Sequence, residues 1–375
     1  MKFMIVTDTF PPDINGVART LHNLAHGLAK RGHSIFVLTT AEEEGKTHVD
    51  VTVKCMRAVA LPGYADVRVG LPTKSEMRAE IQKYQPDAMY VAVETPMGLS
   101  AIGAAREGCV GVVSGFHTNF HTYASDYRVP ILGKAMALYL RWVHNRTHRT
   151  LTPSQGMALQ LRDMGIHNVG VLGRGVDAEL FRPSRRDPAL RAEWGADEKI
   201  PVALFVSRIA AEKNLPLAVR AFQRLRQIRP ETRCVFVGDG PKLGWLKDQH
   251  PEFIYAGART GADLGRHFAS ADVFVFPSLT ETFGNVVTEA LASGLVTVSF
   301  DYAAAQQFVK HGENGFLAAL GDEAAFLQAA ESALEHWDDQ TIRNAAFTAG
   351  SALSWDAIIE QFERELIDSQ IAISS

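Results

Sequence analysis

Short apolar segments alternate with amphipathic helical patterns along the chain, and this alternation limits the possible folds more than any other feature. The segments of the first half that favour β-strands are 3–7, 35–39, 88–93, 110–114 and 169–172. Those of the second half are 202–206, 233–237, 253–256, 273–276 and 296–300. Because these segments are apolar throughout rather than at every second residue, both faces of each sheet are expected to be covered. The pattern predicts an α/β protein with parallel sheets.

The length of 375 residues exceeds what one hydrophobic core usually spans, so we expect two domains. A boundary is predicted within 173–200, because this stretch is charged and contains proline, and a fresh strand begins after it. The predicted domains are 1–172 and 173–354. Both are expected to be doubly wound and Rossmann-like, and to face each other across a cleft.

Composition excludes several classes of protein. The formal net charge of -4 provides no basic field for a nucleic acid partner. Cys55, Cys109 and Cys234 are scattered, which favours a reducing compartment over a disulfide framework. The chain begins with a strand pattern too short for a signal peptide, and no apolar run approaches the ~20 residues that span a bilayer. These features predict a cytoplasmic enzyme.

The strongest chemical signal is the pair Glu281 and Glu289, which flanks a predicted helix start at Gly284. The strand 273–276 places this junction at the carboxyl end of a sheet, where open α/β sheets bind ligands. Backbone N–H groups at a helix start attract phosphate. Carboxylates accept hydrogen bonds strongly, which suits the hydroxyls of a sugar and a ribose. The segment therefore indicates a nucleotide-sugar site.

Two other loops of the second half follow strands. Arg208 and Lys213 come after strand 202–206, where they can neutralise a diphosphate leaving group. The alternative is a solvated surface pair. Gly238 and Gly240 follow strand 233–237 and belong either to the nucleotide site or to a simple strand-to-helix turn.

The first half has three segments with two interpretations each. Asn15-Gly16 permits close approach of a phosphate or a sugar, or it only links strand to helix. His117 and His121 follow strand 110–114 and either bind a sugar hydroxyl or are structural; without a third ligand nearby they do not indicate zinc. A basic amphipathic helix is predicted over 134–149, and it either contacts an anionic membrane or packs on its domain.

The sequence contains no Asp-x-Asp motif, so a divalent metal held by that motif is not expected. A leaving diphosphate would then need protein cations and a helix N-terminus. Arg208, Lys213 and the Gly284 junction offer both.

In combination these segments resemble the family 4 retaining glycosyltransferases of the GT-B fold. The similarity runs through nearly the whole chain, and its most specific element is the run from Glu281 to Glu289. The other matching segments are 11–16, 31–33, 117–118, 168–177, 207–213, 238–241 and 277–278. Segments 61–64 and 117–121 are most similar to α-mannosyltransferases and to sulfoquinovosyl-type transferases that glycosylate lipids.

The resemblance implies a role for each matching residue. Glu281 would contact the donor sugar, Glu289 the ribose, and Arg208 with Lys213 the diphosphate. His117 would contact the transferred sugar near the reacting carbon. The implied catalytic residues are His117, Arg208, Lys213 and Glu281. The implied donor-binding residues are Gly16, Arg208, Lys213, Gly238, Glu281, Phe283, Gly284, Asn285, Val286 and Glu289. The C-terminal helix, 355–375, would pack back on the first domain.

The implied activity is a retaining transfer of a hexose of the mannose or glucose type, without metal or cofactor. The donor would be a nucleoside diphosphate sugar, GDP-mannose foremost, and the acceptor a hydroxyl of a lipid or glycan. The enzyme would work in the cytoplasm, in contact with the inner face of the membrane. Alternatives are a nucleotide-sugar epimerase, a phosphorylase of the same fold, or a sugar-nucleotide-binding protein without turnover.

Overall fold

The computed structural model of the chain describes residues 1–13, 15–40, 45–48, 51–61, 64–117 and 130–374. Internal contacts divide the chain into two compact units. Unit 1 consists of Met1–Arg174 together with Trp355–Ser375, and unit 2 consists of Gly175–Ser354.

The elements alternate between strand and helix over most of the described chain. The strands are β1 Lys2–Val6, β2 Ser34–Thr39, β3 Gly45–His48, β4 Val51–Cys55, β5 Ala58–Leu61, β6 Tyr64–Gly70, β7 Ala88–Val91, β8 Gly111–Gly115, β9 Arg149–Thr152, β10 Val169–Val171, β11 Val202–Val206, β12 Arg233–Val237, β13 Ile254–Gly257, β14 Val273–Phe276, β15 Val296–Phe300 and β16 Gly315–Ala318. The helices are α1 Gly16–Lys30, α2 Lys74–Tyr84, α3 Pro96–Glu107, α4 Pro130–His144, α5 Gln155–Asp163, α6 Pro188–Glu193, α7 Leu215–Ile228, α8 Leu243–Gln249, α9 Gly261–Ala269, α10 Asn285–Ala292, α11 Ala303–Phe308, α12 Glu323–Glu335, α13 Gln340–Ser351 and α14 Trp355–Ser374.

The main sheet of unit 1 has the strand order β10-β9-β8-β7-β1-β2-β4-β3. All neighbours in it are parallel except β3 and β4. Strand β1 pairs with both β2 and β7, so the direction in which strands are added reverses beside it. A short antiparallel pair, β5 and β6, lies outside this sheet.

The sheet of unit 2 has the order β13-β12-β11-β14-β15-β16, and its strands are all parallel. Its strand order reverses between β11 and β14. Every residue of these two strands is buried, as expected for a parallel sheet covered on both faces. The predicted α/β class with two parallel sheets is therefore confirmed.

Sequence patterns missed six of the described strands, namely 45–48, 51–55, 58–61, 64–70, 149–152 and 315–318. The helix predicted over 134–149 is wrong at its end, because α4 ends at His144 and Arg149 begins β9. The hydroxyl of Thr150 lies 3.0 Å from that of Ser114 on β8, so a tertiary contact stabilises a strand that its own sequence does not indicate.

The C-terminal helix α14 packs on the sheet of unit 1. Ile359, Phe362 and Leu366 belong to the same hydrophobic core as the buried face of α1. A Cβ at Gly111 would lie 2.6 Å from the backbone of Ser369, so the glycine permits this close approach. Among the described helices, none is both long and apolar enough to cross a bilayer.

Candidate active site

The carboxyl ends of β11 and β14 carry most of the predicted donor-binding residues. These strands are neighbours, and the strand order of unit 2 reverses between them. The loop after β11 contains Arg208 and Lys213, and the loop after β14 contains Glu281. Since open α/β sheets bind ligands at such a reversal, the topology brings these loops to the expected position of a ligand.

Lys213 and Glu281 are in direct contact although they lie 68 positions apart in sequence. Lys213 Nζ donates to Glu281 Oε1 at 2.5 Å, and the Ser278 hydroxyl donates to the same oxygen at 2.6 Å. Both charged side chains are 16% exposed, so each charge needs a partner, yet both remain within reach of a ligand. The residues that the resemblance assigns to diphosphate and sugar therefore lie side by side.

The loop after β14 is fastened at several points. The hydroxyl of Tyr302 donates to the backbone carbonyl of Glu281 at 2.5 Å. Burial, together with the nearby Glu281 carboxylate, raises the pKa of Tyr302, which keeps this donor protonated. The amide of Asn214 donates to the carbonyl of Pro277 at 3.3 Å and so joins the two loops. These hydrogen bonds therefore fix the backbone of the loop that carries the Glu281 carboxylate.

Arg208 lies on the same loop as Lys213 but has a different partner. Its guanidinium, whose side chain is 58% exposed, forms an ion pair with Glu212. Partial burial opposes ionisation of Glu212, but the Arg208 hydrogen bond, a backbone hydrogen bond and the charges of Arg208 and Lys213 together outweigh burial and lower the pKa of that carboxyl. Among the described contacts, none joins Arg208 to Glu281. The structure thus places Arg208 at the rim of the loop cluster.

Helix α10 begins directly after Gly284, which has φ of +88°. That conformation favours glycine, because other residues are strained in it. No side chain caps the helix, and its first turn contains no acidic residue. The N–H groups of Asn285 and Val286 therefore point from an uncapped helix start, which is suited to an anion.

Phe283 and Glu289 are more deeply placed than the other predicted donor residues. The Phe283 side chain is 3% exposed and belongs to the core of unit 2. Its carbonyl accepts from the Ala304 amide at 2.7 Å. Glu289 lies within α10 and is 4% exposed. The structure therefore places Glu281 in the open loop and Glu289 inside the helix that follows it.

Gly238 and Gly240 are explained by packing. A Cβ at Gly238 would lie 1.9 Å from the carbonyl oxygen of Ser207, and one at Gly240 would lie 2.6 Å from that of Ile209. The amide of Ile209 also donates to the carbonyl of Asp239 at 2.8 Å. These two glycines therefore let the loop after β12 support the loop that carries Arg208.

Gly16 is the first residue of α1 and is exposed, while Asn15 before it has a structural role. The Asn15 side chain accepts from the Ala18 amide at 2.8 Å and donates to the Thr9 hydroxyl at 2.7 Å. It thus caps the helix and ties the loop together. Ile14 lies outside the described residues.

His117 follows β8 and lies in a buried network of unit 1. Its Nε2 is 2.8 Å from the hydroxyl of Tyr90, and its Nδ1 is 3.0 Å from Nη2 of Arg174. Burial, then the charges of Arg174 and His144, hold the pKa of His117 well below its ordinary value of 6.5. The imidazole is therefore neutral at physiological pH. The other members of its sequence segment, Thr118, Asn119, Phe120 and His121, lie outside the described residues, as do Pro62 and Gly63.

Sequence reasoning missed Arg174. Its side chain is 7% exposed, and Nη1 donates to the carbonyls of Leu172 and Gly173 at 3.0 and 3.1 Å. Burial lowers the pKa of this guanidinium. The available signal was an arginine between Gly173 and Gly175, a segment that the sequence assigns to a domain boundary.

Asp8 was also missed, although it follows the central strand β1 directly. Its Oδ1 accepts from the Gly70 amide at 3.0 Å. Burial raises the pKa of Asp8 to about 6, and the nearby Glu94 adds to this, against the opposing hydrogen bonds of Thr95 and Gly70. An acidic residue at the reversal between β1 and β7 was the signal that could have found it.

Comparison with known proteins defines the class of enzyme. A family model described as Glycosyltransferase Family 4 matches residues 14–180, and one described as Glycosyl transferases group 1 matches residues 200–336. A GDP-mannose-dependent alpha-mannosyltransferase of Mycobacterium tuberculosis is 31% identical over 368 residues, which is 96% of this chain and 95% of the relative. The chain therefore belongs to glycosyltransferase family 4. The predicted family and the predicted hexosyltransferase class are confirmed.

Two further proteins are similar over most of their length. An alpha-monoglucosyldiacylglycerol synthase of Streptococcus pneumoniae is 27% identical over 80% of this chain and 71% of its own. The crystal structure of Anabaena HepE in complex with UDP superposes with a TM-score of 0.77 at 20% identity, covering 98% of this chain and 100% of that chain. The latter similarity supports the GT-B fold.

Proposed function

We propose that the enzyme transfers a hexose, mannose foremost, from a nucleoside diphosphate sugar such as GDP-mannose to a hydroxyl of a lipid or glycan. The observation that carries this proposal is the contact between Lys213 and Glu281 at the strand-order reversal of unit 2. The named donor of the mycobacterial relative supports GDP-mannose, and the name of the pneumococcal synthase supports a lipid acceptor.

In this proposal Glu281 orients the sugar of the donor. Lys213 and Ser278 both hold its Oε1, so Oε2 can accept a hydrogen bond from a sugar hydroxyl. A carboxylate held by two donors loses little freedom when a ligand binds, which favours recognition of one hydroxyl geometry. Glu289 is proposed to bind the ribose, and Gly16 and Gly238 remain proposed contacts of the donor.

The departing diphosphate is proposed to be neutralised by the protein and not by a metal. Lys213 and Arg208 supply two cations, and the start of α10 supplies the N–H groups of Asn285 and Val286. Charge that develops on the leaving oxygen is stabilised most by donors already in place before the reaction. Retention follows in this scheme if the acceptor attacks from the face that the diphosphate leaves.

We further propose that α4 contacts an anionic membrane that contains the acceptor. Leu138 and Trp142 are 65% and 47% exposed, and the guanidinium of Arg146 stacks 3.7 Å from the centroid of the Trp142 ring. Trp142 and Arg146 line a cavity of about 320 Å³ against α2 and α3, with Lys74 and Arg106 also on its wall. Aromatic and basic side chains together are typical of helices that lie at a lipid surface.

A ligand panel tests the donor. The midpoint of thermal unfolding is measured with GDP, UDP and ADP and with their sugars, and transfer is then assayed with the best donor, in EDTA. At equal concentration, a ligand that binds the folded state more tightly raises the midpoint further, so GDP and GDP-mannose should give the largest shifts. A larger shift with UDP-glucose would replace the proposed donor, and abolition of transfer by EDTA would refute independence from metal.

Co-sedimentation with vesicles tests the membrane contact. The enzyme should bind vesicles in which about one third of the lipid is anionic, and it should not bind vesicles of neutral lipid alone. Salt should weaken binding because it screens the charges. Trp142→Ser should reduce binding severalfold, whereas Trp245→Ser, an exposed tryptophan of unit 2, should not. Equal binding of the two variants would exclude α4 as the contact surface.

A further inference from the structure

Arg174 carries a buried charge that the proposed transfer chemistry does not use. Its guanidinium donates to two backbone carbonyls and to Nδ1 of His117. Among the ion pairs of the described residues, none includes Arg174. A cation buried without a carboxylate costs free energy, so its presence beside a neutral imidazole requires an explanation.

The contact with Arg174 determines where the proton of His117 lies. A guanidinium only donates hydrogen bonds, so Nδ1 must accept and cannot carry a proton. A neutral imidazole then has its proton on Nε2, which faces the hydroxyl of Tyr90 at 2.8 Å. Both ring nitrogens of His117 are therefore committed to neighbours within unit 1.

Gly115 shows that the backbone is adapted to this arrangement. A Cβ at this position would lie 2.0 Å from the hydroxyl of Tyr90 and 2.5 Å from Nε2 of His117. Any side chain at 115 would thus displace one of the two rings. Strands β7 and β8 and the segment after β10 each supply one part of the network.

We propose that Arg174 is a positioning residue for the transfer reaction, which fixes the tautomer and orientation of His117 so that the imidazole shapes the site without accepting a proton. The expected effect of Arg174 on the rate of transfer rests on the proposed function. The bond between the sugar carbon and the acceptor oxygen forms as the bond to the phosphate oxygen breaks. The acceptor proton then passes to the departing diphosphate oxygen, and not to His117.

The charged and titratable groups around His117 act in the same direction. Arg174 and His144 both oppose protonation of the ring, and the hydroxyl of Tyr90 on β7 accepts a hydrogen bond from its Nε2–H group. Glu94 lies 3.3 Å from Nε2 of His144 and so faces that histidine. Removal of the Arg174 charge is therefore expected to move the titration of His117 to higher pH.

Nitrogen NMR of histidine-labelled protein tests the inference directly. In the natural enzyme, His117 should show a protonated Nε2 and an unprotonated Nδ1 at pH 6.5 and above. In Arg174→Met the preference for this tautomer should weaken and the titration should move upward, whereas Arg174→Lys should keep the tautomer, because an ammonium can still donate to Nδ1. Arg57→Met, an exposed arginine of unit 1, is the control.

Kinetics provides the second measurement. Arg174→Met should lower kcat about tenfold while the KM for the donor changes less than about twofold, because a misplaced group costs the transition state more than it costs donor binding. An unchanged tautomer in Arg174→Met would overturn the inference, as would a changed tautomer with an unchanged kcat. A changed tautomer in an enzyme that transfers no sugar from any donor would overturn the proposed function and leave the role of Arg174 in fixing His117 intact.

Discussion

Two pairs of polar side chains follow strands of the parallel sheets, and they differ in charge and in exposure. One is the Lys213–Glu281 pair of unit 2, and the other is the His117–Arg174 pair of unit 1. The first pair joins opposite charges whose side chains are 16% exposed. The second joins a neutral ring to a cation, and these residues are 6% and 7% exposed. The Lys213–Glu281 pair, which is the more exposed of the two, can exchange a partner for a charged ligand, whereas the buried pair cannot do so without losing its hydrogen bonds. The comparison supports the proposed donor site in unit 2 and the proposed positioning role of the buried pair in unit 1.

The largest effect is expected from breaking the exposed pair. Lys213→Ala and Glu281→Ala should each lower kcat/KM for transfer about 10³-fold, the loss typical of a group that stabilises developing charge. The unfolding free energy should fall by only about 1–2 kcal/mol, since water can reach the partner that remains. Steady-state kinetics and urea unfolding measure the two effects.

The double variant sharpens this prediction. If Lys213 and Glu281 act as one unit, Lys213→Ala/Glu281→Ala should be little slower than either single variant. Lys310→Ala, which removes an exposed lysine paired with Glu313, should leave transfer unchanged. If kcat/KM for transfer in both single variants stayed within threefold of that of the natural enzyme, this pair would not belong to the active site.

The buried network around His117 can be disturbed by a side chain at position 115. Gly115→Ala should separate Tyr90 from His117, because the added Cβ would overlap both. Overpacking of this kind lowers the unfolding free energy by about 1–3 kcal/mol, and transfer should fall about tenfold with it. In Gly103→Ala the nearest atom is the flexible end of Lys74 at 3.4 Å, so both quantities should stay close to those of the natural enzyme. Equal stability of the two variants would show that the network tolerates a side chain at 115.

Asp8, a partly buried carboxyl of unit 1, extends the comparison to the pH dependence of stability. Its pKa is raised to about 6 from 3.8, so the folded state holds the proton more tightly than the unfolded chain. The contribution of Asp8 to the stability of the folded state should therefore be most favourable below about pH 4 and should fall as the pH rises towards 6. The loss is about 3 kcal/mol by linkage.

Urea unfolding at several pH values tests the role of Asp8. Asp8→Asn should remove the pH dependence between 4 and 6 and should unfold at higher urea than the natural enzyme at pH 7.5. The exposed Asp163→Asn should change neither result. The same slope in Asp8→Asn and in the natural enzyme would assign the pH dependence to another group.

The two regions also differ in how well the sequence predicts them. Lys213 and Glu281 lie in the loops that follow two apolar strands, so the strand pattern alone predicts the position of each near a sheet edge. Their mutual contact could not, because it depends on β11 and β14 becoming neighbours across 68 positions. The sequence assigns Gly238 and Gly240 either to the nucleotide site or to a strand-to-helix turn, but the backbone atoms that require them belong to another loop.

The network of unit 1 was largely invisible in the sequence. Arg174 and Tyr90 lie 57 and 27 positions from His117, and each has ordinary neighbours in sequence. Arginine is usually exposed, so nothing local predicts a buried guanidinium. Strand β9 was missed for a similar reason, since its threonines are stabilised by contacts with β8 rather than by an apolar pattern. Elements whose stability comes from distant partners are those that local patterns fail to predict.

The smallest effect is expected from Ser278, which supports the exposed pair without carrying charge. Its hydroxyl donates to the oxygen of Glu281 that Lys213 also contacts, and the residue is 2% exposed. Ser278→Ala should lower the unfolding free energy by about 1 kcal/mol and transfer by about fivefold, the value of one hydrogen bond to a carboxylate that keeps its other partner. Thr280→Val, which removes a hydroxyl with only a 3.4 Å contact to Glu212, should have no measurable effect. A loss in Ser278→Ala as large as that in Lys213→Ala would mean that the orientation of the carboxylate, and not the lysine charge, limits transfer. The binding site of unit 2 would then depend on preorganisation as much as the buried network of unit 1 does.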